Sequence, residues 1–157
     1  MPMIDLTLPP NTLDDATTVQ LVDDLLRTLL RWEHAPDNER SRSLAWAFTH
    51  RADVDVASSP SGLPHYRVEV TTPQGALDDE RRAGLVADVT ELVLRADGSQ
   101  PTESNAFRVW VLLHEIKEGS WGAAGRIWRL RDIATYVLGD AELGNAVAAR
   151  QLGPVTR

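Results

Sequence analysis

The sequence predicts an α+β protein built from two β-α-β units that share one four-stranded sheet, with two helices on one face of that sheet. Three observations carry the prediction. The chain matches itself at a single offset, each matched segment opens with a strand-like alternation, and each alternation leads through a turn into a helix-spaced run. Met3–Asp15 (MIDLTLPPNTLDD) falls on Arg67–Asp79 (RVEVTTPQGALDD), an offset of 64 residues. Held without a gap, that offset lays Leu21 and Val22 on Leu85 and Val86, and Asp24 on Asp88. It also lays Leu30 and Arg31 on Leu94 and Arg95, Trp46 on Trp110, and His50 on His114. A supersecondary unit of about 60 residues cannot cover its own apolar face, so two copies are expected to share one core.

In unit one, about residues 2–56, Met3 to Leu8 alternates as a strand and Pro9-Pro10-Asn11-Thr12 is a turn. Asp14 and Asp15 suit a helix N-terminus, where carboxylates accept from free N–H groups. Val22, Leu25, Leu26, Leu29 and Leu30 then recur at spacings of three and four, an apolar stripe that packs on a sheet. An Ala-Pro-Asp-Asn loop ends this helix, and Ser43 to His50 is the expected second strand.

In unit two, about residues 65–125, Tyr66 to Thr72 and Arg108 to Ile116 are the expected strands. The helix between them, about Asp78 to Arg95, carries Val86, Val89, Val93 and Leu94 inward. A strand, roughly thirty residues of turn and helix, and a second strand is the spacing of a right-handed crossover, so each pair of strands should be parallel. Ile4, Leu6, Val68, Val70, Val109 and Val111 are expected to make the uncovered sheet face apolar, which predicts association. Ser58 to Pro64, dense in turn formers, is the linker. A C-terminal extension, 126–157, reads as a helix from Ile127 to Leu138 stopped by Gly139, then a short or frayed helix from Ala141. Residues 1–157 are read as a single domain.

Composition narrows the function classes. The chain has 157 residues, 43% hydrophobic and 25% charged, which is an ordinary globular composition. A net charge of −7 argues against DNA or RNA as a partner, because phosphate neutralisation needs clustered Lys and Arg. With no cysteine there is no disulfide or thiolate chemistry, and His34, His50, His65 and His114 have no metal-ligand spacing, so neither metal nor cofactor is expected. No apolar run approaches a membrane span and no signal segment opens the chain, so no membrane partner is expected and the cytoplasm is the expected compartment.

Pro2 is the candidate catalytic residue. If the initiator methionine is removed, Pro2 becomes a secondary amine held by its own ring and by the strand that follows. An α-amino group has a pKa of about 7.7–8.0 in water and loses affinity for its proton on burial, so it can act as a base near neutral pH. Around it stand several candidates for substrate binding. Arg40 and Arg42 lie on the approach to a strand, where a guanidinium can hold a carboxylate or enolate. Trp46 and Trp110 share strand faces with Phe48 and Leu112, either as core or as a surface for an aryl group. His50 and His114 recur at equivalent strand ends, which favours a structural hydrogen bond.

The Met-Pro start, the duplicated unit and the segment Glu115–Gly125 (EIKEGSWGAAG) together resemble the tautomerase superfamily, which includes 4-oxalocrotonate tautomerase and, among two-unit members, macrophage migration inhibitory factor and malonate semialdehyde decarboxylase. The resemblance covers about residues 2–125. It implies a homotrimer with Pro2 in pockets between neighbours, acting as the base of a keto–enol tautomerase on a small unsaturated or aryl keto compound. Relatives that hydrate, dehalogenate or decarboxylate offer an alternative, as does a non-catalytic trimeric binding protein. Trp121 fills the family's aromatic position, as a pocket wall or a core residue. Glu39, with Glu103 as its repeat, falls near a loop acid and is a candidate acid partner. Tyr66 stands where Pro2 would recur, so one proline amine per chain is implied. The family's arginine positions are occupied by Thr12 and Ala76, and by Trp46 and Trp110, so the usual clamp on a dicarboxylate is absent.

Overall fold

The computed structural model describes residues 2–57 and 62–153. The middle of the expected linker, from Ser58 to Ser61, lies outside the described residues. Strand β1 (Met3–Leu8) turns Ile4, Leu6 and Leu8 into the core and Asp5 to the opposite face, as the two-residue period of a strand demands. Helix α1 (Asp15–Trp32) and helix α3 (Asp79–Ala96) lie over the inward side of the sheet, with Leu21, Leu25 and Leu29 answering Leu85, Val89 and Val93. Truncating such a residue, Leu25→Ala for instance, removes about 2–5 kcal/mol of transfer and packing energy.

Four strands form the main sheet in the order β2-β1-β3-β4, where β2 is Trp46–Arg51, β3 is Tyr66–Pro73 and β4 is Val109–Ile116. Within each unit the two strands are parallel, and the units join through antiparallel β1 and β3. The repeat read from the sequence is also a repeat of register: Met3 pairs with Trp46, and 64 residues on Arg67 pairs with Trp110. Local chemistry repeats as well. Asp14 accepts from the Thr17 N–H at 2.7 Å to open α1, and Asp78 accepts from the Arg81 N–H at 2.9 Å to open α3. Both helices end with the two crossed backbone bonds of a Schellman turn, whose left-handed residue is Gly98 (φ +72°) in unit two and His34 (φ +55°) in unit one. Trp32 of α1 lies on Gly84 of α3, where a Cβ would stand 2.1 Å from the indole.

The open face of the sheet differs from expectation. Ile4, Leu6, Val68, Val70 and Val109 all turn toward the helices, because their register matches that of the core stripe. The face left open is polar at its centre and aromatic at its edges. Asp5 stands directly opposite Glu69, its own repeat partner, so the pseudo-twofold axis of the two units passes between two carboxylates. Like charges so placed repel. His50 Nε2 lies 2.8 Å from Asp5, and Arg67 Nε lies 3.3 Å from Glu69, with His114 at 3.9 Å. At the edges Trp46 and Trp110 are 61% and 65% exposed, so neither belongs to the core of its own chain.

Two short helices were not foreseen. Helix α2 (Glu39–Leu44), capped by Asn38, displaces the expected start of β2 from Ser43 to Trp46, and α4 (Glu103–Ala106) is its repeat. After β4 a small hairpin of β5 (Gly122–Ala123) and β6 (Arg126–Ile127) precedes two helices, α5 (Leu130–Leu138) and α6 (Ala141–Leu152). Thus α5 starts three residues later than expected, and α6 is a full helix rather than a frayed end. Among the described residues no helix is long and apolar enough to cross a membrane.

Candidate active site

Pro2 sits where three parts of the sheet scaffold converge. Its carbonyl accepts from the Trp46 N–H at 3.2 Å, which extends the β1–β2 ladder by one residue and pins the ring. Because β1 and β3 are antiparallel, the start of β1 lies beside the end of β3, and Pro73 and Ala76 come next to Pro2. The C-terminal turn of α1 closes the third side. Pro2 itself is buried and lines a cavity of about 120 Å³.

Most of the cavity wall is aliphatic, including Leu30, Leu44, Ile133 and Val137. Its polar members are few: Glu33, His34 and Ser41 from unit one, and Arg150 and Gln151 from α6. Two of them are orphaned. Glu33 as a residue is only partly buried, yet its Oε1 is closed off from water and has no hydrogen-bond partner among the described residues. The Ser41 hydroxyl, on a residue 2% exposed, is likewise unpartnered. Buried polar atoms without partners cost free energy, and in a cavity they are groups that a ligand can satisfy.

Burial pushes the Glu33 carboxyl up to about 7, with the positive charge of the chain terminus working against the rise. An acid with such a pKa holds or releases a proton near neutrality.

The candidates named from the sequence separate into groups. Pro2 lines the cavity. Arg40 instead donates to the Tyr136 carbonyl at 3.2 Å, and Arg42 donates to Asp37 at 2.9 Å. Glu39 is exposed in the first turn of α2. Trp46 and Trp110 lie on the open sheet face, and half-buried Trp121 accepts at its carbonyl from the Trp128 N–H at the hairpin. None of these six lines the Pro2 cavity of its own chain. Arg108 is structural: 5% exposed, it reaches Asp97 at 2.9 Å and the Pro64 carbonyl at 2.7 Å, while the Tyr66 hydroxyl donates to Asp97 at 2.6 Å.

Glu33 had a signal in the sequence that was passed over. It continues the stripe of α1 three and four residues beyond Leu30 and Leu29, and an acid on an apolar stripe is the anomaly that marks a buried charge. Ser41 had none, since α2 carries no periodicity of its own. Arg150 and Gln151 depend on how α6 folds back.

The tautomerase enzyme family model matches residues 64–131. Among solved structures the fold agrees with a macrophage migration inhibitory factor-like protein from Entamoeba histolytica at 11% identity and a TM-score of 0.64, over 81% of this chain and 98% of that one. A fused 4-OT solved as a symmetric trimer matches at 20% identity and a TM-score of 0.64, over 79% and 93%. Pt0534, solved after inactivation by 2-oxo-3-pentynoate, matches at 16% identity and a TM-score of 0.65, over 80% and 94%. No curated protein matches the sequence. The family match lies across unit two, and the fold of this chain is shared over nearly the whole length of these solved structures.

Proposed function

We propose that this protein is a tautomerase-type isomerase in which the Pro2 amine, freed by removal of Met1, is the base. One observation supports the reading above all others: Pro2 is buried in the wall of a mostly aliphatic cavity that also holds Glu33, whose Oε1 has no partner among the described residues, and the Ser41 hydroxyl, which likewise has none among them. The amine takes a proton from the carbon next to a ketone. Electron density moves onto the ketone oxygen, where neutral Glu33 donates a hydrogen bond and then its proton to give the enol. Return of the Pro2 proton to carbon, with the enol proton passing back to Glu33, restores the ketone and both groups. Ser41 is the further donor to the developing oxyanion. In this reading Glu33 takes the acid role that the sequence had suggested for Glu39.

The reading includes a homotrimer with a small-molecule substrate. Its support is the open sheet face, whose exposed Trp46, Phe48, Trp110 and Leu112 form an apolar rim, together with the symmetric trimer of the fused 4-OT relative. The test of the chemistry is proton exchange. Intact mass of the native protein first establishes that Pro2 is the terminal residue. Deuterium uptake at C3 of 2-oxobutanoate in D2O is then followed by NMR, and Pro2→Ala is expected to slow it about 100-fold. Full exchange in Pro2→Ala rejects the reading.

A further inference from the structure

The two halves of the open sheet face are equivalent in register but not in charge. Among the described residues its titratable and charged side chains are Asp5 on β1, His50 on β2, Arg67 and Glu69 on β3, and His114 on β4. At the offset of 64 residues Asp5 answers Glu69 and His50 answers His114, whereas Arg67 answers Met3. Unit two therefore brings a permanent cation to its carboxylate, with Arg67 Nε 3.3 Å from Glu69. Unit one has a thioether in that place. Among the described residues the one basic group within ion-pair distance of Asp5 is His50, at 2.8 Å. The charged neighbours along the edge strands turn the other way: Arg51 reaches the Leu13 carbonyl and Asp15, and Glu115 accepts from Arg82 and the Gly75 N–H.

Exposure makes the His50–Asp5 pair sensitive to what covers it. The His50 side chain is 51% exposed, so in the separate chain water screens the pair and a charged imidazole adds little. The same face has an apolar rim of Trp46, Phe48, Trp110 and Leu112, and in the homotrimer reading other copies of the chain cover it. Covering removes water from both partners. A carboxylate shut in beside a neutral imidazole keeps an uncompensated charge, whereas beside an imidazolium it is compensated at hydrogen-bond distance. Asp5 also stands directly opposite Glu69, a like charge that repels it. With both imidazoles neutral the face holds two negative charges, Asp5 and Glu69, and one positive, Arg67. One added proton per copy balances it, and imidazole is the side chain that takes up a proton between about pH 5 and 8.

We propose that the open face is a proton-linked interface between copies of this chain, in which His50 takes up one proton per copy as Asp5 is covered. This rests on the homotrimer reading, in which that face is the contact. His114 lies 3.9 Å from a carboxylate already paired with Arg67, so it has no such role. Because the assembled state binds more protons than the separate chains, association strengthens as pH falls from about 8.5 to 6. One proton per copy sets the limit at about tenfold per pH unit for each copy, or about 1,000-fold per pH unit in the association constant of a trimer.

Sedimentation equilibrium over a dilution series, at one ionic strength and at several pH values from about 6 to about 8.5, reads the association constant. Wild type is expected to associate at least about tenfold more tightly at the acid end than at the alkaline end. His50→Gln can still donate a hydrogen bond to Asp5 but takes up no proton, and its constant is expected to be flat across the range. His114→Gln is expected to keep the wild-type slope. Asp5→Asn removes the charge that needs compensation and is also expected to be flat, with association at about pH 8.5 at least as tight as that of wild type. Where wild type stays assembled at every dilution, Trp46→Ser and Trp110→Ser, singly or together, weaken the apolar rim and bring the same comparison into range. A constant independent of pH, or a slope that survives in His50→Gln, overturns the proton linkage and leaves the homotrimer standing. A slope lost in His114→Gln overturns the assignment to His50 alone. Wild type that sediments as single chains at every pH and concentration overturns the homotrimer reading and the proposal with it.

Discussion

Glu33→Gln tests whether the orphaned carboxyl beside Pro2 is kept for chemistry at a cost in stability. The folded carboxyl has a pKa raised from the ordinary 4.5 to about 7 by burial. A proton is therefore held more tightly in the folded state than in the unfolded one. Between about pH 4.5 and 7 the native state binds more protons, so stability falls as pH rises through that window and levels off above it. A shift of about 2.5 pKa units corresponds to about 3 kcal/mol, an upper bound because part of the residue keeps contact with water. Glutamine has the same shape and does not titrate. Urea unfolding of both proteins from pH 4 to 8, at one protein concentration, should give curves that lie close together at pH 4 and diverge by about 2–3 kcal/mol in favour of Glu33→Gln at pH 7–8. Any constant offset from the new amide leaves this slope untouched. Parallel curves across the range refute the buried-acid argument. In the same variant, exchange at C3 of 2-oxobutanoate should fall about 100-fold, so that stability rises while activity drops.

Other substitutions probe the scaffold. Asp97→Asn leaves the Arg108 guanidinium buried without its counter-charge and should cost about 3 kcal/mol in urea denaturation. Burial raises the Asp97 carboxyl, but hydrogen bonds from Ser99, Tyr66 and Arg108 outweigh it and hold the group below the ordinary aspartate range. The stability it contributes is present above about pH 4 and is lost as the medium becomes more acidic, so the variant's acid limb should be flatter. Gly84→Ala places a methyl on the Trp32 indole and should lower stability by about 1–3 kcal/mol despite alanine's better helix propensity, read as a fall in thermal midpoint. Gly144→Ala should part α5 from α6 and speed proteolysis of the C-terminal segment while the sheet remains folded by circular dichroism. Trp46→Ser combined with Trp110→Ser should shift the assembly to smaller species in analytical ultracentrifugation; an unchanged sedimentation profile removes the open face as the interface.

Much of the fold was legible because it was written twice. Asp14 and Asp78, Leu25 and Val89, Trp46 and Trp110 occupy equivalent structural positions, and a repeat held in register is strong information about topology. Face assignment was less legible. Strand residues of period two tell which side chains share a face but not which face the helices choose, and so Ile4 and Val68 were expected on the open side. The short α2 escaped because six residues, Glu39–Leu44, hold no full period of either kind. For the site, Pro2 stood out by its place at the terminus, whereas Arg40 and Arg42 were plausible only until α5 and Asp37 took up their guanidinium groups.

Residue order alone determined the duplicated β-α-β scaffold, its parallel pairs and the placing of Pro2 at the head of the first strand, because these depend on local periodicity and on turn chemistry. Tertiary structure decided which groups meet that proline. Glu33, Ser41 and Arg150 come from a helix end, a short turn of helix and the last helix, and they converge because α5 packs against α2 and α6 reaches the turn after β3, which brings the pair over the C-terminal end of α1. Burial by long-range packing is a property of the assembled core, and it is burial that turns an ordinary glutamate into an acid poised near neutrality.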